Sequence, residues 1–475
     1  MDPQKGVDVG AMNFIEQVYE GLCEYDEELN VVPGIASWET PDDKTYVWKL
    51  REGVKFHDGQ ELEAEDVKYT VEYILDPDNG IGVRGWYSAI DTIDVVDKYT
   101  VKMNLSRPDP GLPGAFAIHR YEGLVKAGAH DNDNEINRTP NGTGPFKLVE
   151  YVSASHYEFE RHGDYWKKDI PYLDGMLFKI MPEEESVIAA LTTGQIDHSQ
   201  LSPEGYVRLK DDPNLNMVWG PIASNATAEF NPSRTFPDGS PRPWADKRVR
   251  QALAYATDRQ EILEKVQNGF GEMTGVILRG YGDWWKEPKY EYNLEKATAL
   301  LKEAGWGDGF ELTMMASPGI WGGALTANAV VLAAQWKKVG VEVTIEQPEW
   351  AVAVKRMTPD EPAFDYDVSF TGHSYRPDPS GFFDVYFHSD PEKGSWNPGY
   401  KNDRVDELLT NALVELDREK RKAMYSEAED IILDEAWWIQ LYLRAGFEAM
   451  QKPVKGYVWD VRQVFDRAKN MWLDQ

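Results

Sequence analysis

The sequence predicts a multi-domain α/β protein, β-rich in its first third and built from strands and helices in its second half. Three observations predict it. Alternating apolar residues mark strands over 45–50 and 100–105, capped amphipathic helices begin at residue 246, and a strand–helix–strand succession spans 311–345. With 475 residues the chain is long enough for two or three domains with buried cores.

In the first third, Tyr46, Trp48 and Leu50 fall on one face of a strand, and Val101, Met103 and Leu105 on one face of another. Phe146/Leu148 and Tyr157/Phe159 repeat the period of two. Asp-Gly and Pro-Asp turns between such strands imply a mixed or antiparallel sheet. From residue 245 the period changes. Asp246 precedes a helix with Val249, Leu253 and Ala256 inward. Asp258 opens a second, with Glu261 as capping-box partner and Ile262 and Val266 as its apolar face. Asn293 caps a third, whose stripe is Ala297, Leu300, Leu301 and Ala304 and whose stop is Gly305. Residues 311–315 alternate as a strand, 323–339 read as a helix ended by Gly340, and 341–345 alternate again. Such a βαβ unit requires a parallel strand pair. A further strand is expected over 365–371. Asp403 is expected to cap a long helix carrying Val405, Leu408, Leu409 and Ala412, with another through Ala423, Ala428 and Ile432.

The composition is that of an ordinary globular chain, 42% hydrophobic and 28% charged. No apolar run reaches the roughly 18–20 residues that span a bilayer; the best, 324–336, contains Thr326, Asn328 and Gln335. A net charge of −31, from 50 basic against 81 acidic residues, argues against nucleic acid or an anionic membrane as partner. A cationic ligand, or solubility in a salty host, would each account for the acidity. Cys23 is the one cysteine, so no intramolecular disulfide forms; its apolar-periodic surroundings read as a buried thiol. Eight scattered histidines without metal-ligand spacing, His57 among them, predict neither a metal nor another cofactor. The chain starts Met1-Asp2-Pro3-Gln4-Lys5 without an apolar targeting core, which fits a cytoplasmic protein or one whose signal has been removed. A β-rich lobe followed by an α/β lobe would place a ligand cleft between them.

Several segments resemble one family. Val18-Tyr19-Glu20-Gly21-Leu22 resembles its opening helix, and Pro33-Gly34-Ile35-Ala36-Ser37-Trp38 its "P-x-L-A-x-x-W" stretch. The run from Leu50 through Lys55-Phe56-His57-Asp58-Gly59 to Ala64-Glu65-Asp66-Val67 resembles its signature. Gly142-Thr143-Gly144-Pro145-Phe146, Gly194-Gln195-Ile196-Asp197 and Arg248-Val249-Arg250-Gln251-Ala252-Leu253 with Asp258-Arg259 follow in order. Leu300-Leu301-Lys302-Glu303-Ala304-Gly305-Trp306 and Val405-Asp406-Glu407-Leu408-Leu409 complete the series. On this co-linearity the chain is identified as resembling the extracellular solute-binding proteins that include the dipeptide-, oligopeptide- and nickel-binding components of ABC importers. The resemblance implies a two-lobed periplasmic-binding-protein fold of the cluster C type, with an extra β-rich domain inserted in the first lobe. Its implied division is 1–35, 150–230 and 444–475 for the first lobe, 36–149 for the inserted domain and 231–443 for the second lobe, with crossings near Phe230 and Leu443. It also implies a periplasmic or extracellular protein, anchored as a lipoprotein in full length, and a monomer whose partners are a small-molecule ligand and the importer's permease subunits.

Most signature residues read as structural. Gly59 suits a turn with positive φ, Glu65 and Asp66 charge a helix N-terminus, and Gly142-Thr143-Gly144 followed by Pro145 reads as a tight turn rather than a phosphate cradle. Peptide-binding members of the family place an aspartate before a trailing Asp-Pro, in the loop after the strand expected at 365–371. Here that loop reads Thr371-Gly372-His373-Ser374-Tyr375-Arg376-Pro377-Asp378-Pro379, with His373, Tyr375 and Arg376 in place of the acid. Arg376 would then grip a ligand carboxylate or pair with Asp378 on the surface. Tyr375 and Trp350 are candidate cleft walls, Trp350 being equally suited to a core. By position, Asn13 and Phe14 before the opening helix and Asn225 and Glu229 ahead of the hinge complete the candidate set, and Trp284-Trp285 and Trp437-Trp438 suit burial or a lobe interface.

The expected function is capture, without chemical change, of a peptide or a peptide-like or opine-like acid between two closing lobes. An oligosaccharide held by stacked aromatic rings is the alternative. A secreted glycosidase is more remote, because with 81 acidic residues no carboxylate pair stands out.

Overall fold

The computed structural model describes every residue except 1, 6–8, 28, 118–122, 132–134, 274, 276–285, 319–322, 359–363, 374–377, 392, 395, 463–465 and 475. Its largest sheet has six strands in the order His198–Gln200, Trp438–Gln451, Leu215–Phe230, Val368–Thr371, Phe310–Met315 and Val341–Glu346. The first four pair antiparallel and the last three parallel. The expected parallel unit is therefore present, with the helix Ala324–Lys337 between Phe310–Met315 and Val341–Glu346. That helix buries Leu325, Ala329, Leu332 and Trp336 against Val249, Leu253, Ile262 and Leu301 from the three helices that precede it.

A four-stranded antiparallel sheet, Ala36–Asp42, Thr45–Leu50, Thr100–Leu105 and Ile90–Asp97, forms a separate unit. Trp48, Val101 and Met103 meet Val67, Val71 and Ile74 of the helix Ala64–Leu75 in its core. The Asp66 carboxylate accepts from the Glu63 and Ala127 amides at 2.9 and 2.8 Å, closing the N-terminus of that helix as expected of an acid there. A three-stranded sheet, Phe146–Val152, His156–Arg161 and Gly175–Lys179, packs Phe146 and Phe159 on Phe14, Ile15, Val18 and Tyr19 from the chain start and on Met450, Val454 and Met471 from its end. The helices Ser380–Phe387, Asp403–Ala412 and Arg418–Glu435 share a fourth core, in which Phe382, Phe383, Leu409, Tyr425 and Ile432 meet Trp438.

Several local expectations are corrected. The opening helix spans Val9–Val18, so Tyr19 to Leu22 form its exit rather than its body. The cap of the helix Asp403–Ala412 is Asn402, whose carboxamide oxygen accepts from the Arg404 and Val405 amides at 3.0 and 3.2 Å; Asp403 is the first helical residue. Asp258 caps its helix as expected, but the Glu261 carboxylate accepts from Lys265 and Gln335. The strand expected over 365–371 starts only at Val368. Ahead of it Phe364 has φ of 46°, Asn231 donates to the Phe364 and Tyr366 carbonyls, and the Asp367 carboxylate accepts from the Thr313 amide, so polar side chains replace the ladder. The glycines of Gly142-Thr143-Gly144 serve close packing rather than turn conformation. A Cβ on Gly142 would lie 2.0 Å from the Val18 carbonyl oxygen and one on Gly144 2.5 Å from that of Gln17. Between them Thr143 donates at 3.1 Å to Glu20, a buried carboxylate that also accepts from Tyr165 and Trp166.

Cys23 is buried, and burial raises its thiol pKa, as an inert structural thiol requires. His57 is held structurally: its Nε2 donates to the Gly144 carbonyl at 3.0 Å, its ring packs edge-on to His162, and burial pushes it down to about 3.

Candidate ligand-binding site

Two strands, Leu215–Phe230 and Trp438–Gln451, run side by side through the six-stranded sheet. Their pairing shifts register twice. Residues 215–221 face 445–451, the register shifts between Pro221 and Asn225, and pairing resumes from Asn225 against Leu443, shifting again between Ala226 and Thr227 before Glu229 faces Trp438. A register shift in a long ladder is where two strands bend together.

Three of the nine candidate residues meet just beyond this break. The Asn225 and His373 backbones bond to each other: the Asn225 amide donates to the His373 carbonyl at 3.0 Å, and the Asn225 side-chain oxygen accepts from the His373 amide at 2.8 Å. The Asn225 amide nitrogen Nδ2 donates on to Gln440 Oε1 at 3.1 Å. The His373 ring donates from Nε2 to Glu229 Oε1 at 2.6 Å, and Thr227 donates to the same oxygen at 2.5 Å. The imidazole lies flat on Trp438, ring centres 4.6 Å apart and 10° from parallel, with Tyr386 edge-on at 4.5 Å. His373, Glu229 and Asn225 are all buried. Their polar groups bond within the protein and hold the start of the loop after Thr371.

Asp378, past that loop, is held as firmly. Arg421 grips it with both terminal nitrogens, Nη1 to Oδ2 at 2.7 Å and Nη2 to Oδ1 at 2.6 Å, and Ser380 donates to Oδ1 from its amide and hydroxyl. Burial alone would raise the Asp378 pKa, but Arg421 outweighs it and holds the carboxyl below the usual range. Asp378 is thus a structural anion, engaged on both oxygens by Arg421 from the helix Arg418–Glu435.

Tyr375 and Arg376 lie outside the described residues, as do Trp284 and Trp285. Phe14 packs in the core: it is buried within the opening helix, 5.4 Å from both the Tyr157 and Phe159 rings. Asn13 is half-buried and lines a cavity of about 460 Å³ that also touches Met176, Phe178, His198 and Met471. Trp350 starts the helix Trp350–Arg356 and is 37% exposed, while Ala353 and Met357 carry that helix's packing on Met315 and Tyr366. Trp219 is 43% exposed, edge-on to Phe270 at 5.1 Å.

Residues the sequence reading left unassigned do much of the positioning. Arg259 is buried with no carboxylate partner among the described residues, donating to the Gln440 and Tyr290 carbonyls at 2.7 and 2.8 Å, and burial lowers its guanidinium to about 10. Arg250 lies 3.4 Å over the Trp437 ring. Both arginines stand in the "VRQAL…DR" motif, which marked a helix pair without showing what the side chains grip. Glu150, His156 and Glu158, on the exposed hairpin of the three-stranded sheet, place one potential metal-ligand atom each within 4.8 Å of one another.

A hinge-like strand pair, sheets on both sides of it and a clamped loop beside it define a two-lobed α/β binding protein. The chain belongs to the Bacterial extracellular solute-binding proteins, family 5 Middle, whose pattern matches residues 30–394. It is 30% identical over 485 residues to the oligopeptide-binding protein AppA of Bacillus subtilis, covering 96% of this chain and 86% of that one. It is 29% identical to the dipeptide-binding protein of Escherichia coli, over 93% and 86% of the two chains. Among solved structures it is similar to AgaA of A. tumefaciens R10 in complex with agropinic acid, with a TM-score of 0.81, 25% identity, and coverage of 100% and 96%. None of these three is named for a sugar or a glycosidase.

Proposed function

We propose that the chain is the ligand-capturing component of an ABC importer and takes a peptide or a peptide-like acid between its two lobes. The observation that carries this reading is the clamp at the strand break. Asn225, Glu229, Trp438 and Gln440, all on the two long strands, fix His373 at the entry of the loop that in peptide-binding relatives meets the ligand. Ligands named for the relatives, oligopeptides, dipeptides and agropinic acid, share an amide or amine beside a carboxylate. The lobes divide as 1–35, 150–230 and 444–475, then 36–149, then 231–443, and the register shift between Pro221 and Asn225 is the bend about which they close. Ligand that touches both lobes stabilises the closed state by contacts the open state lacks, and no bond is made or broken. The protein works outside the cytoplasmic membrane as a lipid-anchored monomer, and the importer's permease subunits receive its ligand.

In this reading Arg376 supplies the planar fork for the ligand carboxylate, because Asp378 is already held by Arg421. Native mass spectrometry of the purified protein, followed by denaturation and identification of the released molecule, tests the ligand class. A peptide or amino-acid derivative supports it, and a neutral sugar refutes it. Arg376→Ala should weaken an acidic molecule so identified by about 2 kcal/mol or more. Equal affinity would remove Arg376 from the site.

A further inference from the structure

The four-stranded unit comes close to the second lobe at Gly111. Its loop after Thr100–Leu105 brings Gly111 against Asp378, so near that a Cβ on Gly111 would lie 2.8 Å from Asp378 Cγ, 2.9 Å from Oδ2 and 3.1 Å from Cβ. The Gly111 backbone has φ −83° and ψ −14°, a conformation any residue adopts, so its own turn does not require glycine there. Only the neighbour does. Asp109 fixes the loop, its Oδ1 accepting from the Gly111 amide at 3.0 Å and its carbonyl from the buried Tyr46 hydroxyl at 2.9 Å. On the other side Arg421 holds Asp378 with two bonds and anchors itself through Nε on the Ala412 carbonyl at 2.8 Å. Beside the contact lies a cavity of about 530 Å³ whose walls come from both units, Trp38, Tyr46 and Pro110 from one and Asp378 and Leu416 from the other. Asp109 is buried, 8% exposed, beside Arg107 at 3.7 Å, and Asp378 is half-buried against Arg421 across the boundary.

We propose that the inserted domain is a second jaw of the closure: its Asp109–Gly111 loop docks on the Asp378–Arg421 pair, so that Gly111 and Arg421 set the open–closed balance without touching ligand. This rests on the proposed lobe closure. The pair belongs to the closing mechanism because Asp378 leads directly into the helix Ser380–Phe387, whose Phe382 and Tyr386 rings pack on His373. The jaw and the loop clamp are thus parts of one packed layer. An opening movement must either break the Gly111 contact or carry the inserted domain along.

The test uses the full chain with dye pairs on engineered surface cysteines, which label selectively because Cys23 is buried. One pair joins the strand Ile90–Asp97 to the helix Asp403–Ala412, across the proposed jaw. The other joins the helix Pro203–Leu209 to the helix Leu294–Glu303, across the main cleft. Single-molecule energy transfer is read for the ligand-free protein, Gly111→Val and Arg421→Gln. The added methyls have no room in the docked state and no effect on the isolated loop, so Gly111→Val should keep the wild-type melting temperature. It should also leave roughly tenfold fewer molecules at the short distance in both pairs. Arg421→Gln should shift both pairs in the same direction. The jaw is refuted if Gly111→Val leaves both distributions unchanged, or lengthens only the jaw pair while the main cleft stays as in wild type. A main-cleft pair fixed at one distance in every protein, also after adding the molecule released from native preparations, would refute lobe closure itself and the jaw with it.

Discussion

Asp384, on the helix Ser380–Phe387, gives the structure's clearest pH dependence. Its residue is 9% exposed and its Oδ1 has no hydrogen-bond partner among the described residues. Burial pushes its pKa up to about 7, with Asp378 adding to the rise and Lys393, Arg421 and Arg107 opposing it. A carboxyl whose pKa is raised on folding keeps its proton longer in the folded state. Its stabilising effect is complete below the unfolded value of about 3.9 and is lost as pH rises through 7. Over pH 6 to 8 this one group should remove about 1.4 kcal/mol of stability. The wild-type profile alone cannot show it. Asp109, raised to about 6 by burial, adds in the same direction. Burial holds His57, His162 and His388 below the ordinary histidine value, and they act oppositely, costing stability as the unfolded chain takes up protons below about pH 6.5. The difference between wild type and Asp384→Asn cancels these common contributions. Denaturant unfolding of both proteins at pH 6, 7 and 8 and constant ionic strength should show Asp384→Asn gaining on the wild type by about 1.4 kcal/mol across the range. A difference independent of pH would mean that Asp384 does not titrate there, and that water or a neighbour satisfies its ionised form.

Three further outcomes follow from the geometry. Glu229→Ala should destabilise the protein by about 3 kcal/mol in denaturant unfolding, since it leaves the buried His373 ring and the Thr227 hydroxyl without their acceptor; Glu229→Leu with His373→Phe should recover part of the loss. Gly142→Ala should fail to give folded protein, judged by expression and near-ultraviolet circular dichroism, because its Cβ would overlap the Val18 carbonyl; normal folding would show that the opening helix can shift. Arg259→Met should lower the melting temperature by releasing the Gln440 and Tyr290 carbonyls, and should weaken binding of the natively bound molecule through the Gln440–Asn225 bond. An unchanged affinity would separate Arg259 from the loop clamp.

What the sequence discloses follows from the range of the forces involved. The strand periods at Tyr46–Trp48 and Val101–Met103, the Asp246, Asp258 and Asn293 caps and the βαβ unit are local patterns, and all are present in the fold. The Asn402 cap was missed by one residue because Asn and Asp are equally good acceptors at adjacent positions. The start of the strand Val368–Thr371 was missed because Asn231 and Asp367 reach it from far along the chain. The site shows the same division. Position in the motif series selected Asn225, Glu229, His373 and Asp378; the first three are buried, Asp378 is half-buried, and the polar group of each is fixed by internal bonds. Their roles were not legible, because those depend on partners that neither spacing nor composition reveals: Trp438 and Gln440 at 65 or more residues from His373, and Arg421 at 43 from Asp378. A loop replacement such as Thr371 to Pro379 can thus be read as a change of ligand only after its internal bonds are known. His373 departs from the family's pattern, yet its hydrogen bonds and ring contacts all go to the protein's own strands and helices. On the proposed reading, ligand specificity would then fall to the substituted positions between His373 and Asp378.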